Sequence, residues 1–259
     1  SGASAINTAL VAFLGKGDHL LMVDNTYSPT RGFCDKFLKK FGIETTYYDP
    51  SMGADIADLV QDNTKVIFME SPGSLTFEVQ DVDAICAVAK ANDIVTIMDN
   101  SWGSGIYYKP LDHGVDISVM ALTKYINGHS DVIMGSICLQ RKHFLVIYEA
   151  FRYMAATAAP FSAYMVQRGL RTVKIRMDHC FKSALNLASW LEQREEIHSV
   201  LYPALPSHPD HELWKSPLKI GKYVTKIYDI AMIIADGNLD RAVELMPFVL
   251  QHCYGVHEE

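Results

Sequence analysis

Residues 94–102 read Ile94-Val95-Thr96-Ile97-Met98-Asp99-Asn100-Ser101-Trp102. A short apolar strand runs straight into a carboxylate and a polar turn. The same design stands upstream, where Lys65 to Met69 runs into Glu70-Ser71-Pro72-Gly73 and His19 to Val23 into Asp24-Asn25-Thr26. Glu44 to Tyr48, rich in Thr and Tyr, is a further strand, and Ile117 to Ala121 and Val132 to Leu139 are two more. Helical signals lie between them: Ala3 to Phe13, ended by Gly15-Lys16-Gly17; Pro29 to Phe41, with Gly42 behind it; Ala54 to Val60; and Val82 to Ala91. Apolar strands alternating with helices predict an α/β fold with a mostly parallel sheet covered on both faces. Ligands of such sheets bind at the carboxyl ends of the strands. Three polar clusters fall there: Asp24 to Tyr27, Asp99 to Trp102, and Thr123-Lys124.

Beyond the sheet, about Met165 to Glu195 reads as one long helical stretch with an apolar stripe of Leu185, Leu187, Trp190 and Leu191 that faces a core. Pro203, Pro206 and Pro209 punctuate a loop. The pattern then weakens, with a strand expected near Ile227 to Ala235 and a helix near Leu239 to Gln251.

The 259 residues carry 23 Lys and Arg against 30 Asp and Glu, a formal charge of −7. That balance gives no global attraction for nucleic acid or for an anionic membrane surface. Cys34, Cys86, Cys138, Cys180 and Cys253 are widely spaced and odd in number, which fits a reducing compartment rather than a disulfide framework. Apolar runs such as Ile230 to Ala235 are too short to span a bilayer, and no secretory signal is visible. The opening Ser1-Gly2-Ala3-Ser4-Ala5-Ile6 runs from a loop straight into a helix, so the chain is expected to begin inside a larger fold.

Lys124 follows a buried strand. Desolvation there would depress its pKa and make it a Schiff-base nucleophile; a lone lysine more often snorkels over apolar neighbours. Asp99, 25 residues earlier, is either the cap of the next turn or the partner of a buried cation. The 25 residues accommodate a crossover, Gly103 to Asp116, and a return on an adjacent strand, so both side chains can face one cleft. Tyr27 is an ordinary half-buried tyrosine or a ring that stacks on a planar ligand. Gly2 and Ala3 open a helix whose free N–H groups and dipole suit a phosphate, within reach of the Thr123 hydroxyl. His208 and His211 resemble a metal pair but lack nearby Cys ligands. His129 and Trp102 read first as structural residues.

Taken in order, Glu70-Ser71-Pro72-Gly73-Ser74, Asp99-Asn100-Ser101-Trp102, Thr123-Lys124-Tyr125 with Gly128-His129-Ser130-Asp131, and Arg168-Gly169-Leu170-Arg171-Thr172 resemble the Cys/Met-metabolism family of pyridoxal-phosphate enzymes. The likeness runs from residue 1 to about Lys215. Glu70 to Ser74 and Leu111-Asp112-His113-Gly114-Val115-Asp116 resemble its bacterial cystathionine β-lyase branch. The resemblance implies a fold-type-I, aspartate-aminotransferase-like large domain over residues 1–172. Residues 173–259 are then a linking helix and part of a small C-terminal domain.

It also implies roles. Lys124 corresponds to the lysine that binds pyridoxal 5′-phosphate, Asp99 to the partner of the pyridine nitrogen, and Tyr27 to the ring-stacking tyrosine near the substrate amine. Gly2, Ala3 and Thr123 correspond to phosphate contacts; where some relatives have Ser, two residues before that Thr, this sequence has Ala121. Arg168 and Arg171 correspond to a motif read as structural pairing. The implied activity is β-elimination of a thioether amino acid, cystathionine giving homocysteine, pyruvate and ammonia, in a cytoplasmic homo-oligomer of the methionine pathway. Two departures stand out: the family's N-terminal arm is expected to be missing, and no arginine for the substrate carboxylate is evident in 216–259, where Arg241 stands alone in a helical context. The rival expectations are γ-elimination or γ-synthesis, a broad cysteine-S-conjugate β-lyase, and a non-catalytic paralogue that associates with longer subunits.

Overall fold

A computed structural model describes residues 1–215. The strand and helix expected within 216–259, and Arg241, lie outside the described residues. Six strands form one sheet in the order β2-β1-β3-β4-β5-β6. They are β1 (His19–Val23), β2 (Glu44–Tyr48), β3 (Thr64–Glu70), β4 (Val95–Asp99), β5 (Ile117–Ala121) and β6 (Gly135–Leu139). All neighbours pair in parallel except β5 with β6. The expected mostly parallel α/β sheet is therefore present.

The strands alternate their side chains between two cores, as a period of two requires. Leu21, Val23, Ile67, Met69 and Met98 point to one face, under α3 (Val82–Ala91) with its Val82, Ile85 and Ala89. Leu20, Met22, Val66, Phe68, Ile97 and Val119 point to the other, under α1 (Gly2–Phe13) with Ile6, Ala9 and Leu10. Each fully buried Leu or Ile here contributes about 1.5–3 kcal/mol. A sheet covered on both faces has only its edges and strand ends left for function.

Four elements differ from the sequence reading in type or by more than one residue at an end. The helix expected over Pro29 to Phe41 is α2 (Ser28–Lys36) followed by a 3₁₀ turn, Leu38–Phe41. Phe33, Phe37 and Phe41 stack along it with centroids 5.0 Å apart, and Gly42 ends it in the left-handed region. The helix expected over Ala54 to Val60 is a 3₁₀ segment, Gly53–Leu59. The last strand begins at Gly135 rather than Val132; the Met134 backbone instead bonds both the side chain and the N–H of Thr123, beyond the end of β5. The long stretch from Met165 breaks at Arg171-Thr172 into α5 (Pro160–Leu170) and α6 (Val173–Leu191).

An additional helix, α4 (Phe144–Tyr153), precedes α5. Phe144, Leu145 and Tyr148 on it are exposed, so no clean apolar stripe announces it. After α6, turns through Pro203, Pro206 and Pro209 lead to the short α7 (His211–Lys215). Among the described residues no helix is long and apolar enough to cross a membrane.

Candidate active site at the carboxyl edge of the sheet

Three strands end in polar groups on the same edge. β4 ends at Asp99, whose Cα pairs with Glu70 at the end of β3 on one side and Val119 of β5 on the other. Asp99 is only 8% exposed, and its Oδ1 accepts the Ser101 N–H at 2.8 Å. One oxygen thus performs the turn-capping role open in the sequence. The Ser101 hydroxyl in turn accepts the N–H of Ala121, the last residue of β5, at 2.8 Å. The β4 turn is tied in this way to the strand that leads into Thr123-Lys124.

Ala121 also meets the first turn of α1. A Cβ built on Gly2 would stand 2.7 Å from the Ala121 Cβ, so only glycine allows the helix to start there. Ser1 caps the helix by accepting the Ser4 N–H at 3.1 Å. The Gly2 and Ala3 N–H groups precede the first intrahelical acceptor, which makes them the donors an anion would meet. The Thr123 hydroxyl, two residues beyond Ala121, already bonds the Met134 backbone, to its carbonyl at 3.2 Å and from its N–H at 3.1 Å.

Lys124 is exposed. Of the two readings open in the sequence, the exposed lysine is the one found: β5 stops at Ala121, and Lys124 lies in the turn beyond it. Its backbone is held firmly, the N–H on the Ala121 carbonyl at 3.0 Å and the carbonyl on the Gly128 N–H at 2.8 Å. Tyr27 is the N-cap residue of α2, 47% exposed as a residue, with its own N–H bonded to Glu70 Oε2 at 2.8 Å.

Two residues that shape this edge were not singled out from the sequence. Glu70 is fully buried, and burial and the neighbouring Asp99 charge push its carboxyl well above the usual range. Its position at a strand end, matching Asp99, was the available signal. Arg176 on α6 donates to the carbonyls of Tyr125 at 2.7 Å, Ile126 at 3.3 Å and Gly169 at 2.9 Å, bracing the segment that carries Lys124. Only a contact between distant segments reveals that role.

The remaining residues behave structurally. Arg168 pairs with Asp131 at 2.8 Å, and Asp131 accepts from Asn127 at 2.9 Å. His129 Nδ1 bonds the Asn127 carbonyl at 2.6 Å. The Trp102 ring meets Phe77 edge-on at 5.2 Å. His211 Nδ1 bonds the Pro203 carbonyl at 2.9 Å, while His208 Nδ1 accepts the Asp210 N–H at 3.1 Å. No group of three potential metal ligands stands together among the described residues.

The donor set fits pyridoxal phosphate. An exposed amine, a carboxylate at a strand end, an exposed aromatic ring and a Gly-opened helix N-terminus share one edge of the sheet. They match in kind what an aldehyde, a ring nitrogen, a ring face and a phosphate require.

Comparison with known proteins agrees. The profile of the family described as Cys/Met metabolism PLP-dependent enzyme matches residues 1–228. A putative cystathionine beta-lyase of Rhizobium johnstonii is 47% identical over 219 residues, covering 85% of this chain and 55% of its own. Cystathionine beta-lyase MetC of Escherichia coli is 40% identical over 216 residues, 83% of this chain and 55% of its own. The L-alanine/L-glutamate racemase of a Wolbachia pipientis strain is 45% identical over 219 residues, 85% of this chain and 54% of its own. The chain thus spans a little over half the length of these relatives. Among solved structures, cystathionine gamma-lyase from Lactobacillus plantarum superposes with a TM-score of 0.81 at 29% identity, over 86% of this chain and 57% of that one. The match of fold, motif order and sequence over most of its length places this chain in the Cys/Met-metabolism family of PLP-dependent enzymes.

Proposed function

We propose that this chain carries the catalytic centre of a carbon–sulfur β-lyase acting on cystathionine or a related thioether amino acid. The observation that carries the reading is the placement of Lys124, Asp99 and Tyr27 on one edge of the sheet, in a chain 40% identical to the Escherichia coli β-lyase.

Bound pyridoxal phosphate supplies an electron sink for the carbanion formed when the substrate's Cα–H bond breaks. Lys124 binds the cofactor. Its amine would take the α-proton and would stand ready to protonate the departing thiolate. Asp99 would hold the ring nitrogen protonated by offering it a carboxylate. Tyr27 packs its ring on the cofactor and is the second candidate proton donor. Gly2 and Ala3 offer backbone N–H groups to the phosphate, and Thr123 offers what capacity its hydroxyl retains beside Met134. The protein acts in the cytoplasm, towards methionine. Exposed Leu145, Tyr153, Phe161 and Tyr164 on α4 and α5 support assembly of identical copies into a dimer or tetramer.

A second reading is favoured by the racemase relative. In it the same amine removes the α-proton and no leaving group departs.

The test is the visible spectrum of the purified protein with pyridoxal phosphate beside Lys124→Ala, followed by product analysis. A bound-cofactor band that the variant lacks, with pyruvate and homocysteine from cystathionine, is expected. 2-Oxobutyrate with cysteine would indicate γ-elimination, and D-alanine from L-alanine the racemase. No band at saturating cofactor overturns the reading and favours a non-catalytic paralogue.

A further inference from the structure

Glu70 and Asp99 are Cα partners at the ends of neighbouring parallel strands. Strands so paired lie about 4.8 Å apart and project such residues to the same face. Both carboxyls are buried, with the residues 4% and 8% exposed. Two carboxylates this close and this dry do not both ionise without a large penalty.

The groups around Glu70 are known from each packed element. From the turn after β1, the Tyr27 N–H and the Thr26 hydroxyl reach Oε2 at 2.8 and 3.2 Å. From the turn after β3, the Ser74 hydroxyl reaches Oε1 at 2.6 Å. From β4 comes the charge of Asp99. Gln80 accepts the Glu70 backbone N–H at 3.1 Å, and nearby Glu78 accepts from Asn25 at 2.8 Å. Among the described residues, none of the groups named as acting on the Glu70 carboxyl is a cation. The hydroxyl of Ser74 donates to an ionised Glu70 and rotates to accept from a protonated one, so the cradle accommodates both forms.

We propose that Glu70 is a positioning residue of the cofactor site: it holds the one proton of the Glu70–Asp99 pair, leaving Asp99 as the anion, and it ties the Tyr27 backbone to the same strand end. Asp99 then meets a ring nitrogen already charged, without a second buried charge beside it. The Tyr27 ring is fixed relative to Asp99 because its amide hangs from the neighbouring carboxyl. This inference rests on the roles given above to Asp99 and Tyr27, and its test separates the two.

The first measurement uses protein without added cofactor. Urea unfolding of the parent, Glu70→Gln and Asp99→Asn is followed from pH 5 to pH 9. A carboxyl that holds its proton more tightly folded than unfolded makes folding less favourable as pH rises. The parent's folding constant is expected to fall relative to Glu70→Gln by up to about tenfold per pH unit. Asp99→Asn removes the neighbouring charge and is expected to make the parent's slope shallower. If Glu70→Gln does not fold, the parent against Asp99→Asn decides alone. Parallel curves for the variants that fold overturn the shared proton.

The second measurement adds pyridoxal phosphate. Glu70→Gln is expected to keep the bound-cofactor band and to shift the pH at which it titrates. Glu70→Ala, which also releases the Tyr27 amide, is expected to weaken cofactor binding about tenfold. An unchanged titration and unchanged affinity in both variants overturn the positioning role. A pH slope in the parent without any cofactor band supports the carboxyl pair and overturns the proposed function instead.

Discussion

Arg176 Nη1 donates to the carbonyl oxygen of Tyr125 at 2.7 Å, and so anchors from α6 the residue that follows Lys124. Its second nitrogen reaches Ile126 and Gly169, and Nε donates to Thr172 at 3.1 Å. Space for this comes from two glycines. A Cβ on Gly128 would fall 1.9 Å from the guanidinium, and one on Gly169 would fall 2.1 Å from the Asn127 carbonyl. The Lys124 turn is thus clamped from outside the sheet.

Arg176→Ala is expected to destabilise the chain by about 1–3 kcal/mol, because several carbonyls lose their donors at once. Arg176→Lys recovers only part of that, since an ammonium cannot span carbonyls as a planar fork does. Urea denaturation gives the stability, and cofactor affinity by fluorescence quenching reports whether the Lys124 turn moved. Equal stabilities of parent and Arg176→Ala would refute the clamp.

Gly2 and Ala121 make a reciprocal pair. Gly2→Ala forces two Cβ atoms to 2.7 Å and is expected to cost about 1–3 kcal/mol by overpacking. Adding Ala121→Gly removes the Cβ–Cβ clash but leaves the residue 121 Cα 3.0 Å from the new Cβ, so the double variant recovers part of the loss. A double-mutant cycle on thermal unfolding measures the coupling. Phosphate-dependent cofactor binding should weaken in Gly2→Ala and return in the double variant.

What could be read from the residues was the part set by local pattern. β1, β2, β5 and α3 stand where apolar runs and helix ends put them, and the polar edge followed from asking what each strand ends on. What escaped was set by tertiary contact. At the break the Gly169 carbonyl accepts the Thr172 N–H and the Arg176 guanidinium, a partner from the next helix that no local pattern announces. α4 has apolar residues on its exposed side, so periodicity does not mark it. Glu70 stood in plain sight within Glu70-Ser71-Pro72-Gly73-Ser74, but its partnership with Asp99 needs the register of β3 on β4. The place of Lys124 after a strand leaves its exposure open, and the turn of three residues past Ala121 decides it by bringing the residue to the surface.

Tyr27 separates ring from hydroxyl. Its N–H serves Glu70 whatever the side chain is, so substitutions there report on the ring alone. Tyr27→Phe is expected to keep cofactor affinity and to slow turnover if the hydroxyl donates a proton. Tyr27→Ala is expected to lose about 0.5–1.5 kcal/mol of cofactor binding with the stacked ring, read as a roughly two- to tenfold rise in Kd. Identical affinities for all three proteins would remove Tyr27 from the cofactor.

At the other end of the sheet, Asp116 makes an acid-sensitive lock. Burial raises its pKa, but the hydrogen bonds from Lys142, the Thr96 N–H and His143 outweigh it and hold the carboxyl below the ordinary value. Lys142 lies 2.6 Å away, His143 3.1 Å and the Thr96 N–H 3.1 Å. A depressed carboxylate contributes stability that is present above its unfolded value, near pH 4, and is lost as pH falls through the folded one. Lys142 is well exposed, so its share is small and screened by salt. The buried Thr96 amide and hydroxyl carry more of it, with the hydroxyl 3.2 Å away. Asp116→Asn is therefore expected to lower stability at pH 7 and to narrow its gap to the parent as pH drops below 4. Thermal unfolding at pH 3 to 7 measures both. A gap that stays constant over that range would mean the carboxylate's charge has no part in holding β4 to β5.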